Sequence, residues 1–216
     1  MARFSSFYDE NMVDDLECRG PGFLARALES VIGARAGLDV LDLGCGTGLA
    51  AAQLRPRARH LVGVDLSDSM VAVARGRGLY DALQVAEVTA FLAQTEHDAF
   101  DLITACDTLI YFGDLRQVLG PAARWLRPGG LMAFTVERSD GPPFQLTDSG
   151  RFVHHADHIG EVAGELALAL ASLDEVVLRY EYGKAVSGLV AVLKAPDEAS
   201  AMPPAAAPST SANRRR

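Results

Sequence analysis

Residues 38–48 read Leu-Asp-Val-Leu-Asp-Leu-Gly-Cys-Gly-Thr-Gly. The first six are mostly apolar, which suits a short strand buried on both faces. Glycine then stands at every second position, as Gly44, Gly46 and Gly48. Glycine lets a backbone turn tightly and come close to a bound molecule. A strand that runs into such a loop, with a helix behind it, opens a parallel α/β sheet.

The rest of the chain repeats that unit. Strands are predicted over 38–43, 60–64, 83–85, 100–105 and 131–136. Helices are predicted over 21–33, 49–54, from Ser67 or Asp68 through Ala74, 90–94 and 115–126. Arg127-Pro128-Gly129-Gly130 supplies a turn. Alternation of this kind predicts a mostly parallel sheet with helices on both faces. A helix over 156–171 and two strands over 176–182 and 187–193 follow, a hairpin added to the sheet edge. The domain is expected over 1–195, with a helical lid region over 1–36. Residues 196–216, rich in Ala, Pro and Ser, are expected to be disordered.

Bulk properties narrow the function. Hydrophobic residues make up 49% of the 216 and charged residues 22%, as in ordinary globular domains. The net charge of −8 disfavours long nucleic acids. No apolar run reaches the roughly 18 residues of a membrane span. Met1-Ala2-Arg3-Phe4 does not open a signal peptide, so a cytoplasmic location is expected. Cys18, Cys45 and Cys106 are too far apart for a zinc pattern and odd in number, which suits free thiols.

In open α/β sheets, ligands bind at the carboxyl ends of the strands near the reversal of strand order. Asp65 follows the second strand about 20 residues after the loop, where a carboxylate can accept hydrogen bonds from both hydroxyls of a ribose. Two cofactors fit that outline. A dinucleotide site wants Gly-x-Gly-x-x-Gly, but Leu49 stands at the third glycine position. S-adenosylmethionine lacks a pyrophosphate and carries an ammonium and a sulfonium. Asp42, two residues before Gly44, suits that cationic end.

The segment Val40–Gly48 strongly resembles motif I of class I methyltransferases. Val62-Gly63-Val64-Asp65-Leu66-Ser67 resembles their second motif, Phe100-Asp101-Leu102-Ile103 their fourth strand and Leu126–Leu131 the turn before their fifth. The resemblance implies a Rossmann-like three-layer sandwich: a seven-stranded, mostly parallel sheet whose last strand is antiparallel. It implies S-adenosyl-L-methionine as cofactor. Carried over residue by residue, the cofactor site comprises Asp42, Gly44, Cys45, Gly46, Gly48, Asp65, Leu66, Met70, Glu87, Val88 and Cys106. Glu87 departs from the usual Asp; a solvated surface position is its alternative. Tyr8, in Phe7-Tyr8-Asp9, resembles a lid residue over the cofactor.

The acceptor side is less legible. Asp107 faces the expected substrate space and could orient or deprotonate an acceptor, or cap a helix; Tyr111 could pack on the substrate or in the core. Arg151 and His154 lie in a stretch, Ser149–His154, that resembles a bacterial methyltransferase group related to tetratricopeptide-repeat methyltransferases, as do Arg179-Tyr180-Glu181 and Val186-Ser187-Gly188. They are the substrate-binding candidates. His154, His155 and His158 match no standard metal spacing, and methyl transfer needs no metal, so none is expected. The expected partner is a small molecule, not nucleic acid or a membrane, and the chain a monomer or homodimer. The expected activity is methyl transfer to O, N or C by in-line displacement. A cofactor-binding regulatory protein and a nicotinamide dehydrogenase are the alternatives.

Overall fold

The computed structural model describes residues 19–94 and 99–197. Tyr8 and the residues of the lid region before 19 lie outside the described residues, as do 198–216 of the expected tail. Among the described residues the first helix is α1 (Gly20–Ile32), and β1 (Leu38–Leu43), α2 (Ala51–Leu54), β2 (Ala58–Asp65), α3 (Asp68–Arg77), β3 (Ala82–Val85), α4 (Val88–Leu92) and β4 (Phe100–Ala105) follow. A 3-10 turn over Leu109–Tyr111, α5 (Arg116–Ala123) and β5 (Leu126–Arg138) complete the repeating part. Then come β6 (Phe144–Leu146), β7 (Phe152–His154), α6 (Ala156–Glu165), β8 (Ala169–Glu181) and β9 (Lys184–Lys194).

The sheet runs β3-β2-β1-β4-β5-β9-β8, and β9 is antiparallel to both of its neighbours. That is the mostly parallel α/β sheet expected, with an antiparallel last strand. It differs in having nine strands among the described residues: β6 and β7 form an additional small hairpin that joins the end of β5 through Glu137 and Arg138. Glu137 pairs with Gly188 of β9 on its other side, so β7 extends the sheet above the carboxyl end of β4.

The central strands β1, β4, β5 and the second half of β9 are buried on both faces, and successive residues feed opposite layers. Leu189, Ala191 and Leu193 of β9 join the core that contains α4, α5 and α6 residues; Val190 and Val192 join the core under α1 and α2. Every residue of β1 is buried, as its apolar run implies.

Several boundaries move. The helix expected over 156–171 ends at Glu165, and β8 begins at Ala169. Leu166–Ala171 alternates Leu and Ala, good helix formers that also fit the two-residue period of a strand. Ala167 takes a left-handed φ of 55°, and the Leu168 amide donates back to the Ala163 carbonyl, closing the helix. The turn at 127–130 is a wide bulge inside β5: Phe100 pairs with Leu126, but Leu102 already pairs with Leu131. At the β8–β9 turn, Tyr182 and Gly183 have φ of 50° and 75°, the signature of a tight two-residue hairpin.

Candidate functional site

A cavity of about 520 Å³ opens where the strand order reverses, at the carboxyl ends of β1, β2 and β4. It brings together Asp42, Gly44, Cys45, Gly46, Asp65, Leu66, Met70, Glu87, Val88, Cys106, Asp107 and Tyr111. Gly48 does not line it. Its φ is +86°, and a Cβ there would come 3.1 Å from the Tyr80 ring, so it serves the turn beneath.

The glycine loop is held from three sides. The amides of Gly44 and Cys45 donate to the Val64 carbonyl at 2.8 and 3.0 Å, and the Gly48 amide to the Cys45 carbonyl at 2.9 Å. The Gly46 amide donates to Asp65 Oδ2 at 2.8 Å. Asp65 Oδ1 accepts from the Ser67 amide at 2.8 Å, so this one carboxylate ties the loop to the start of α3. Gly44 is the tightest point: a Cβ there would lie 2.1 Å from Thr108 Oγ1, at a φ of +67°. The Thr108 hydroxyl is within reach of the carbonyls of Leu43, Gly44 and Cys106, at 3.0, 3.3 and 3.1 Å. It has one proton to give, and its position locks β4's end against the loop.

Asp42 is buried at 1% exposure and accepts from the Tyr80 hydroxyl at 2.7 Å and from Thr104 Oγ1 at 2.8 Å. Burial pushes its carboxyl up to about 6, against the pull of those two donors. Burial together with Asp42 and Asp65 also pushes the Cys45 thiol up, so it stays protonated and unreactive. Neither Tyr80 nor Thr104 was visible as a partner from the sequence, although a threonine inside the apolar β4 was a usable signal.

Glu87 is the N-cap of α4, its Oε2 accepting from the Ala90 amide at 2.7 Å and from Thr89 Oγ1 at 2.5 Å. Burial raises its carboxyl, and the bonds from Thr89 and Ala90 outweigh that, so the net direction is down. The side chain therefore has a structural task at the cavity rim, and Val88 beside it is buried.

On the opposite wall, Asp107 is held at a φ of 53°, unusual for a residue other than glycine. Thr108, and not Asp107, is the residue at the start of the 3-10 turn. Its amide donates to Thr135 Oγ1 at 2.9 Å. Tyr111 lines the mouth and is 65% exposed, which excludes the core-packing alternative.

Arg151 and His154 are not brought to the cavity. Arg151 bonds Glu137 Oε1 at 2.7 Å and both oxygens of Glu181 at 2.7 and 2.8 Å. His154 is fully buried, and its Nε2 lies 2.9 and 3.0 Å from the carbonyls of Phe112 and Gly113, so that nitrogen is the donor. It fastens the segment that carries Phe112, a cavity residue. His155 caps α6, and His158 Nε2 accepts from the Leu115 amide at 3.3 Å. The three histidines thus serve three different backbone sites.

Residues 41–134 match the methyltransferase-domain family. That stretch is a methyltransferase domain. Methyltransferase GfsG of Streptomyces halstedii is 30% identical over 183 residues, 78% of this chain and 66% of that one. Malonyl-[acyl-carrier protein] O-methyltransferase of Salmonella typhimurium is 36% identical over 146 residues, 67% and 56% of the two chains. Ubiquinone biosynthesis O-methyltransferase of Hahella chejuensis is 33% identical over 107 residues, 48% and 45%. The chain thus spans 45–66% of the length of these relatives. Among solved structures, the N-methyltransferase NodS of Bradyrhizobium japonicum, in complex with S-adenosyl-L-homocysteine, aligns with a TM-score of 0.65 at 20% identity, covering 86% of this chain and 91% of that one. The [4+2]-cyclase SpnF aligns at 0.64 and 19% identity, covering 81% and 80%. Likeness at that identity shows the shared fold alone. No helix among the described residues is long and apolar enough to cross a membrane.

Proposed function

We propose that the chain is an S-adenosylmethionine-dependent methyltransferase that transfers a methyl group to O, N or C of a small-molecule acceptor. One observation carries the cofactor assignment. Asp42, Asp65, Glu87 and Asp107 line the cavity, and no Lys, Arg or His does so among the described residues. Such a lining attracts a sulfonium and an ammonium and repels a pyrophosphate. The loop adds to this: its amides at Gly44, Cys45, Gly46 and Gly48 are already bonded within the protein, whereas a phosphate cradle needs free N–H groups. A Cβ on Gly46 would meet nothing within 4 Å, so the backbone there borders open space that a ligand can fill.

Asp65 is the group for the ribose hydroxyls, each of its oxygens keeping a second lone pair. Glu87 and Val88 form the adenine end. Asp42, the backbone of Gly44–Gly46 and Cys106 form the methionine end. Bound there, S-adenosylmethionine supplies an already activated methyl group. The protein's part is then proximity and alignment. Asp107 and Tyr111 stand on the acceptor side, Asp107 to accept a proton or hydrogen bond from the acceptor and Tyr111 to cover it. The small cavity and the charge of −8 favour a small acceptor over a nucleic acid.

Calorimetry with S-adenosylmethionine, S-adenosylhomocysteine and NAD tests the cofactor. Both sulfur ligands are expected to bind and NAD is not; the reverse result overturns the proposal. Transfer of a labelled methyl group into a small-molecule extract tests the activity. Cofactor binding with no transfer favours a binding protein or a different reaction on the same fold.

A further inference from the structure

Behind Asp107 lies a charge cluster that the cofactor site does not use. Arg179 of β8 is 4% exposed and sits at its centre. Its Nε lies 2.8 Å from Glu181 Oε1, its Nη2 bonds Glu137 Oε1, and its Nη1 lies 3.7 Å from Asp107 Oδ1. Arg151 shares the same two oxygens, Glu137 Oε1 and Glu181 Oε1, from the β7 side. The sequence stretches 149–154 and 179–181, separated along the chain, thereby meet around one carboxylate on β5.

We propose that Arg179 is a positioning residue for Asp107: clamped between Glu137 and Glu181, it holds the Asp107 carboxylate at the acceptor side of the cavity. The inference rests on the reading of Asp107 given above. Three observations support it. First, Asp107 stands in a left-handed conformation, with a φ of 53°, that is uncommon outside glycine and is held where the surroundings support it. Second, its contacts converge from separate elements. Thr135 of β5 accepts from its amide at 2.9 Å and stands 3.4 Å from Oδ1, Arg179 approaches Oδ1 from β8, and α1 closes on Oδ2. A side chain at Gly20 would come 3.6 Å from that oxygen and 3.0 Å from Cys106 Sγ, so the helix start packs directly against this corner. Third, the buried cluster reaches the cavity through Asp107. Asp107, Glu137 and Glu181 face two guanidiniums, Arg151 and Arg179. The two glutamates are the near partners of both arginines, and Asp107, 3.7 Å from Arg179, is the member of this cluster that lines the cavity.

A planar, forked guanidinium can touch three carboxylates at once, and lysine's ammonium cannot hold the same three directions. The arrangement therefore does more than staple β5 to β8, and the two roles separate experimentally. In Arg179→Met, the Asp107 amide is expected to exchange with solvent about tenfold faster, because its bond to Thr135 Oγ1 opens more often once the carboxylate is no longer held. The Asp107 carboxyl carbon resonance, assigned with Asp107→Asn, is expected to move. Arg179→Lys is expected to restore part of both signals. An Asp107 unchanged in Arg179→Met, with only the β8 and β9 amides loosened, reduces Arg179 to a staple and overturns the inference. If Arg179→Met does not fold, Glu137→Gln frees one anchor of the guanidinium, and an unmoved Asp107 there overturns it equally. S-adenosylhomocysteine titrated into the unaltered protein is read separately: failure to bind removes the cofactor reading and leaves the Asp107–Arg179 coupling to be judged on its own spectra.

Discussion

The two walls of the cavity are tied together over different distances along the chain. On the cofactor wall, most ties are short: Asp65 reaches Gly46 across 19 positions and Ser67 across two, and Glu87 caps the helix that follows it, while Asp42 reaches Tyr80 across 38 and Thr104 across 62. On the acceptor wall, Thr108 reaches Leu43 across 65 positions, Arg179 reaches Glu137 across 42 and Arg151 reaches Glu181 across 30. Short-range ties come with a motif of fixed spacing. Long-range ties come with whatever residue the fold happens to bring near, and each depends on the sheet being complete.

That contrast can be broken at Gly44, where the walls touch. Gly44→Ala sets a methyl group into the Thr108 side chain at a left-handed φ, and denaturant unfolding is expected to show a loss of about 4 kcal/mol. A loss below 1 kcal/mol would show that the loop and β4 are not locked as described. On the acceptor wall, Glu137→Leu leaves Arg179 and Arg151 short of a buried partner, at an expected cost of about 3 kcal/mol in the same measurement.

Asp42 gives the cofactor wall a pH dependence of its own. Its folded pKa is about 6 against an unfolded 3.8, so the ligand-free native state keeps a proton that the unfolded chain releases. Its contribution is fully present below about pH 4 and is lost as the pH rises through about 6, a change on the order of 3 kcal/mol. Stability curves of the protein and of Asp42→Asn are expected to differ by that slope; parallel curves remove the effect. Asp65→Ala is expected to weaken S-adenosylhomocysteine binding by about 1–3 kcal/mol in calorimetry, and an unchanged affinity takes Asp65 out of the site. The smallest effect is that of Tyr111→Ala on stability, within about 0.5 kcal/mol by thermal unfolding, because the ring is largely in solvent.

The same contrast explains what was legible. Gly44, Gly46 and Asp65 were readable because one strand-helix-strand unit fixes their spacing. The parallel sheet was readable because its central strands β1, β4 and β5 are apolar on both faces, a pattern independent of partners. Glu137 stands in no motif: a charged residue closing the buried run of β5 needs a buried counter-charge, a rule that calls for an arginine without saying which one. Arg151 and His154 were singled out from a resemblance, yet the structure spends one on Glu137 and Glu181 and the other on the Phe112 and Gly113 carbonyls. Their places depend on the β6–β7 hairpin, whose three-residue strands carry too few residues for a period to show. The end of α6 was missed because Leu and Ala serve helix and strand alike.

The position of β9 has a consequence for how the molecule comes into being. Its six buried residues, Gly188–Leu193, lie between β5 and β8, so the strand made last among those of the sheet is an interior one. While the chain emerges from the ribosome, β5 presents an unpaired apolar edge, an invitation to the wrong partner. The tight Tyr182-Gly183 turn shortens that interval. It lets β8 and β9 zip together locally and arrive as a ready-made pair, turning a slow long-range closure into a single docking event.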